Sequence, residues 1–180
     1  MLQPRRIVFE GFVSGLIGAG AVAVWFLIVD TVSGRPFFTP AMLGAAVFEG
    51  LRDPSAVLVA FPSVIMYTML HVVAFLVVGV IAAMLVAEAE EFPSMLWPLL
   101  VLFVVFEFGF YILVATLLTP LLAALAWVNV AIGNLLAAVG MGYFLWRVHP
   151  RLRAELADHP LGATGDHEIV VLPAQGPEAK

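Results

Sequence analysis

Long apolar runs punctuated by single polar residues dominate this chain. The run from Ile7 to Val32 is broken only by Glu10 near one end and Asp30 near the other. A second run, residues 63–87, has His71 as its one ionisable position, and a third, residues 97–118, encloses Glu107 alone. The fourth, residues 121–148, carries Asn129, Asn134 and Arg147 as its conspicuous polar positions. Roughly 20 mostly apolar helical residues cross the ~30 Å hydrocarbon core of a bilayer, and each run reaches that length. The pattern predicts an all-α integral membrane protein built as a four-transmembrane-helix bundle, its membrane domain covering residues 1–148.

The connections carry their own signals. Between the first two runs, Thr39-Pro40 and Asp53-Pro54 each pair a favoured N-cap residue with proline at the first helical position. A short interfacial helix is therefore expected over about residues 40–50, lying at the membrane surface or dipping into it. Residues 88–94 form a short acidic loop ending in Phe92-Pro93-Ser94. Thr119-Pro120 leaves two alternatives: a tight helical hairpin, or a fold-back over residues 120–127 with the fourth span starting near Val128. A loose echo of the Thr39-Pro40 segment at Thr119-Pro120 reads as coincidence in a chain this rich in Ala and Leu. From residue 149 onward Pro, Gly and small residues are scattered without periodicity, which predicts a cytoplasmic helical extension over residues 147–157 and then a flexible tail to residue 180.

Composition narrows the class. Hydrophobic residues make up 63% of the 180, charged residues 12%, and the mean hydropathy is +1.07. Soluble domains average about 45–50% apolar and about 25% charged, so an ordinary soluble enzyme and a disordered chain are both excluded. A formal net charge of -5 provides no basic face for nucleic acid. With no cysteine there is neither a thiolate metal site nor a cysteine nucleophile.

Arginine placement sets the expected topology. Arg5 and Arg6 precede the first run, and Arg147, Arg151 and Arg153 close the fourth, against Arg35 and Arg52 on the other side. Positive charges favour the cytoplasmic flank, so both termini are expected inside. The first run is too long for a cleaved signal peptide and reads as an uncleaved anchor. The profile resembles that of small multi-pass proteins of the bacterial inner (cytoplasmic) membrane.

Candidate chemistry is sparse. Small residues at four-residue spacing, including Gly11 and Gly15, Gly79 with Ala83, and Gly133 with Ala137, point to close helix packing. Glu107 sits halfway along its run, where a charge costs at least ~2.5–3.5 kcal/mol on insertion scales. Counting along antiparallel helices places His71, Tyr111 and Asn134 at comparable depth, so these four residues are expected to form a polar intramembrane cluster. Such a cluster serves either as a hydrogen-bonded clasp or as a proton relay, cation site or pocket for a lipid headgroup or quinone. Arg35, Phe37 and Phe38, bounded by prolines, suit an interfacial anchor, and Asp30 with Arg35 either pairs or brackets the turn between them. His149, His159 and His167 read as solvated tail residues. No metal site, cofactor or catalytic constellation is expected, and no phosphate-binding, zinc-protease, serine-hydrolase or dinucleotide motif is present.

The reading is therefore a non-catalytic membrane protein, an accessory or scaffold subunit that packs in the bilayer against copies of itself or other membrane subunits. The alternative is a small oligomeric transporter or proton- or cation-conducting protein centred on Glu107 and His71.

Overall fold

The computed structural model describes residues 4–90, 92, 96–117 and 127–158. Among the described residues the regular elements are all helices, without strands. Helix α1 covers Pro4–Val32, α2 Phe38–Phe48, α3 Phe61–Ala89, α4 Leu96–Leu117, α5 Trp127–Val148 and α6 Pro150–Asp158, with a 3-10 turn at Pro54–Ala56 between α2 and α3. Among the described residues three helices are long and apolar enough to cross a membrane: Arg5–Val32, Phe61–Ala89 and Trp127–Val148. The expected third run coincides with α4. Residues 118–126, where the two alternatives for the α4–α5 connection diverge, lie outside the described residues, as does the tail beyond Asp158.

The core is an antiparallel seam between α1 and α3, with α5 laid against α1. A side chain at Gly11 would strike the backbone of Val80, one at Gly15 the carbonyl of Phe75, and one at Gly79 the backbone of Gly11 and Gly15. Backbone therefore meets backbone, with Ser14 fully buried beside the crossing. This is how helices gain dispersion contact where lipid removes the hydrophobic drive between them. Gly133 on α5 is looser: an added Cβ would stand 3.1 Å from the Trp25 ring. The indole of Trp25 donates to the Asn129 carbonyl at 2.8 Å, tying the C-terminal half of α1 to the start of α5.

Apolar packing falls into three tiers along the bundle. Phe38, Met42, Leu43, Ala46 and Val130 fill one end. Ala19, Val22, Phe75, Ala137 and Met141 fill the middle. Ala82, Ala83, Val86, Ala89 and Leu145 fill the other end, where Leu152 docks α6 onto the bundle.

Helix α2 is the short apolar helix expected between the first two runs, and it is buried against its neighbours. Eight of its eleven residues are buried, with Ala41 and Met42 at 0% and 1% exposure, and it packs among the long helices. Its sequence, FTPAMLGAAVF, is apolar all round, so it has no polar face to turn to water. Gly44 lets it approach the Ser63 carbonyl, and the Ser63 hydroxyl donates to Glu49 at 2.6 Å. The helix ends where Gly50 takes a positive φ of 71°. Asp53 caps the 3-10 turn as its sequence suggested, accepting from the Ser55 N–H at 2.9 Å. Thr39 is not the cap of α2; the cap position is Phe37, whose side chain cannot accept, and the capping oxygen comes from Asp30.

Candidate functional site

Among the described residues two polar assemblies and two cavities stand out. The first assembly lies where the N-terminal end of α1, the C-terminal end of α3 and the α5–α6 junction converge. His149, only 2% exposed, is the hinge residue between α5 and α6. Its Nδ1 lies 3.0 Å from Glu90 Oε1, and its Nε2 lies 3.2 Å from Glu10 Oε2. The second contact has ion-pair distance without hydrogen-bond alignment, leaving both atoms buried and lacking an aligned partner. Glu10 completes the cluster through Oε1, which accepts from Arg6 Nε at 2.8 Å one helical turn earlier. The imidazole therefore has a carboxylate oxygen close to each ring nitrogen and stands between the end of α3 and the first turns of α1. The carboxylates sit on different sides of the ring, so the donors diverge, and among the described residues no group of His, Asp or Glu is arranged to hold a metal ion.

The second assembly is the start of α2. Asp30, 5% exposed, accepts from the Thr39 N–H and the Thr39 hydroxyl, both at 2.7 Å. A carboxylate there also meets the positive end of the α2 dipole. Asp30 does bracket the following turn, because its carbonyl accepts the Arg35 N–H at 2.9 Å. The Arg35 guanidinium itself lies 4.0 Å above the Phe38 ring. The two adjacent phenylalanines part company: Phe38 is buried under Arg35, whereas Phe37 is 48% exposed with φ at 63°.

A cavity of about 320 Å³ opens between α1, α2, α3 and α5. His71 and Asn134 both line it, so these two members of the expected polar cluster share one space. His71 stacks on Tyr67 with ring centroids 5.9 Å apart, and its ring lies tilted against Phe75 at 4.8 Å. A second cavity of about 330 Å³ lies between α3, α4 and α5, and Asn134 borders it as well. Glu107 and Tyr111 fall on α4, and their side chains lie outside the described residues.

The Glu10–His149–Glu90 cluster was missed in the sequence because each residue looked ordinary alone: a charge at a helix end, a loop acid and a tail histidine. The structure corrects the reading of His149 as solvated. A usable signal did exist, since the arginine-based topology already placed all three at one end of the bundle. No family model, curated protein or solved structure matches the chain.

Proposed function

We propose that this chain is a non-catalytic integral membrane protein, an accessory or scaffold subunit of a larger membrane assembly, crossing the bacterial inner membrane four times with both termini in the cytoplasm. The observation that carries the reading is where its buried charges are spent. Glu10 and Glu90 are used on His149, and Asp30 on the start of α2. Each joins one structural element to another. Partially exposed Glu49 does the same for α2 and α3 through Ser63.

Four crossings are supported by the path of the chain. Helices α3 and α5 run parallel, since Glu90 and His149 meet at one end while Asn129 meets Trp25 toward the other. Between Ala89 and Trp127 the chain therefore has to travel the length of the bundle. Helix α4, 22 residues and roughly 33 Å long, lies on that stretch. The end at which α1 starts and α5 closes carries Arg5, Arg6, Arg147, Arg151 and Arg153, which supports the cytoplasmic assignment.

Purification of the full chain from membranes in a mild detergent, followed by mass measurement of the intact particle, tests the role. A defined homo-oligomer or a stoichiometric complex with another membrane subunit is the expected result, and a monodisperse monomer contradicts it. The shared cavity of His71 and Asn134 favours one second reading, a small oligomeric transporter or proton- or cation-conducting protein centred on Glu107 and His71. That reading requires flux in liposomes that Glu107→Gln abolishes.

A further inference from the structure

We propose that the cavity between α1, α2, α3 and α5 binds a lipophilic organic cation, an ammonium group carried on an apolar body, with Asp30 as its anionic partner. This goes beyond the scaffold role and does not depend on it. Three observations converge. The volume of about 320 Å³ is at the small end of the range for small-molecule sites, about 300–1,000 Å³. Its wall is mostly apolar and includes the aromatic residues Phe26, Phe37, Tyr67 and His71, the type of surface whose ring faces attract a cation. Among the described residues Asp30 is the only acidic one in that wall, and neither Lys nor Arg lines it.

Asp30 is what selects the sign of the ligand. Its carboxylate is 5% exposed and, among the described residues, makes no ion pair. The α2 N-terminus offers roughly half a positive charge and the Thr39 donors two hydrogen bonds. Asp30 thus holds the start of α2 while having, among the described residues, no formal counter-ion in an apolar setting, where one is favourable. A carboxylate has about four lone-pair positions, so two bonds to Thr39 leave acceptor capacity for an N–H donor or close approach by a quaternary head. Phe37 adds a sign of use. A bulky residue with φ of 63° is held against its own preference, and such strain gathers at ligand clamps. Phe37 lines the cavity half exposed while its neighbour Phe38 is packed away.

The experiment is equilibrium dialysis of the full chain in an uncharged maltoside detergent against benzyltrimethylammonium, with benzenesulfonate in parallel. Saturable binding of one cation per chain, at least about tenfold tighter than the sulfonate, is the expected result. Leu27, which lines the cavity and is 40% exposed, allows it to be filled from an open position. Leu27→Trp should abolish cation binding with the fold retained, and Asp30→Asn should remove the preference for positive charge. The comparison of the two ions needs no variant, so it stands even if Asp30→Asn fails to fold. Equal affinity for both ions, non-saturable uptake, undiminished binding to Leu27→Trp, or a stoichiometric neutral lipid retained in the purified protein's mass spectrum would each overturn the proposal. None of these outcomes bears on whether the chain assembles with other subunits.

Discussion

His149 Nδ1 stands 3.0 Å from Glu90 Oε1 across the bundle end, joining residues 59 positions apart in the chain. With Glu10 on the other nitrogen, this single side chain holds together α1, α3 and the α5–α6 junction. Removing one partner of a buried polar contact leaves the other's atoms unsatisfied, which typically costs about 1–3 kcal/mol and more for a charged group. His149→Phe should therefore lower the thermal midpoint in detergent sharply. The triple variant Glu10→Gln, Glu90→Gln, His149→Phe should lose less than His149→Phe alone, since no carboxylate is then left facing another. If the triple variant is the least stable, mutual satisfaction of these three side chains is not what fastens the bundle end.

The α1–α3 seam makes a steric prediction with an internal control. Gly15 has the Phe75 carbonyl against it, while Gly20 on the same helix has nothing within 4 Å. Gly15→Val should destabilise the bundle by at least the ~1–3 kcal/mol usual for overpacking, because backbone on both sides has to move. Gly20→Val should leave the detergent melting curve within error of wild type. Similar losses for both variants would argue against a backbone-to-backbone seam.

Capping of α2 across the turn predicts a local effect. Asp30→Ala removes both acceptors that hold Thr39, and loss of an N-cap oxygen costs about 0.5–2 kcal/mol. Amide exchange over residues 38–48 should quicken, with the centre of the α1–α3 seam unchanged. Thr39→Val, which keeps the N–H, should give a smaller change in the same residues. Unchanged exchange in Asp30→Ala would show that packing alone orders α2.

Asp53 offers a titration outside the spanning segments. Hydrogen bonds from the Ser55 hydroxyl and N–H hold its carboxyl below the usual 3.8. The cap is therefore present in full above that value and is lost as pH falls through the lower value of the folded state. An NMR titration should find Asp53 below 3.8, with Ser55→Ala moving it upward. A midpoint at or above 3.8 in the wild type would contradict the capping geometry.

How much of this was legible follows from the range of each interaction. The long helices announce themselves locally: α3 was expected over residues 63–87 and runs Phe61–Ala89, because an apolar run of that length has few other places to go. Gly15 and Gly79 could be marked as small positions, yet their partners depend on the register of two helices. Helix α2 was placed within two residues at each end, but the Thr39-Pro40 pair pointed to the wrong capping group. The oxygen comes from Asp30, nine residues earlier. His71 and Asn134 do border one cavity, while His149 was hidden because its partners lie 59 and 139 positions away. Sequence reads what neighbours dictate; the fastening of helix ends is decided by tertiary convergence.

The central claim, a structural rather than a conducting or catalytic role, is tested most directly at Glu107, the acid midway along α4. The full chain and its Glu107→Ala and Glu107→Gln variants should be compared for native particle mass and, in proteoliposomes, for proton flux under an imposed pH gradient. The account predicts no flux above empty liposomes for any of the three, with a changed particle mass or subunit stoichiometry for Glu107→Ala. A pH-dependent flux through the wild type that Glu107→Gln abolishes, with particle mass unchanged, would contradict it.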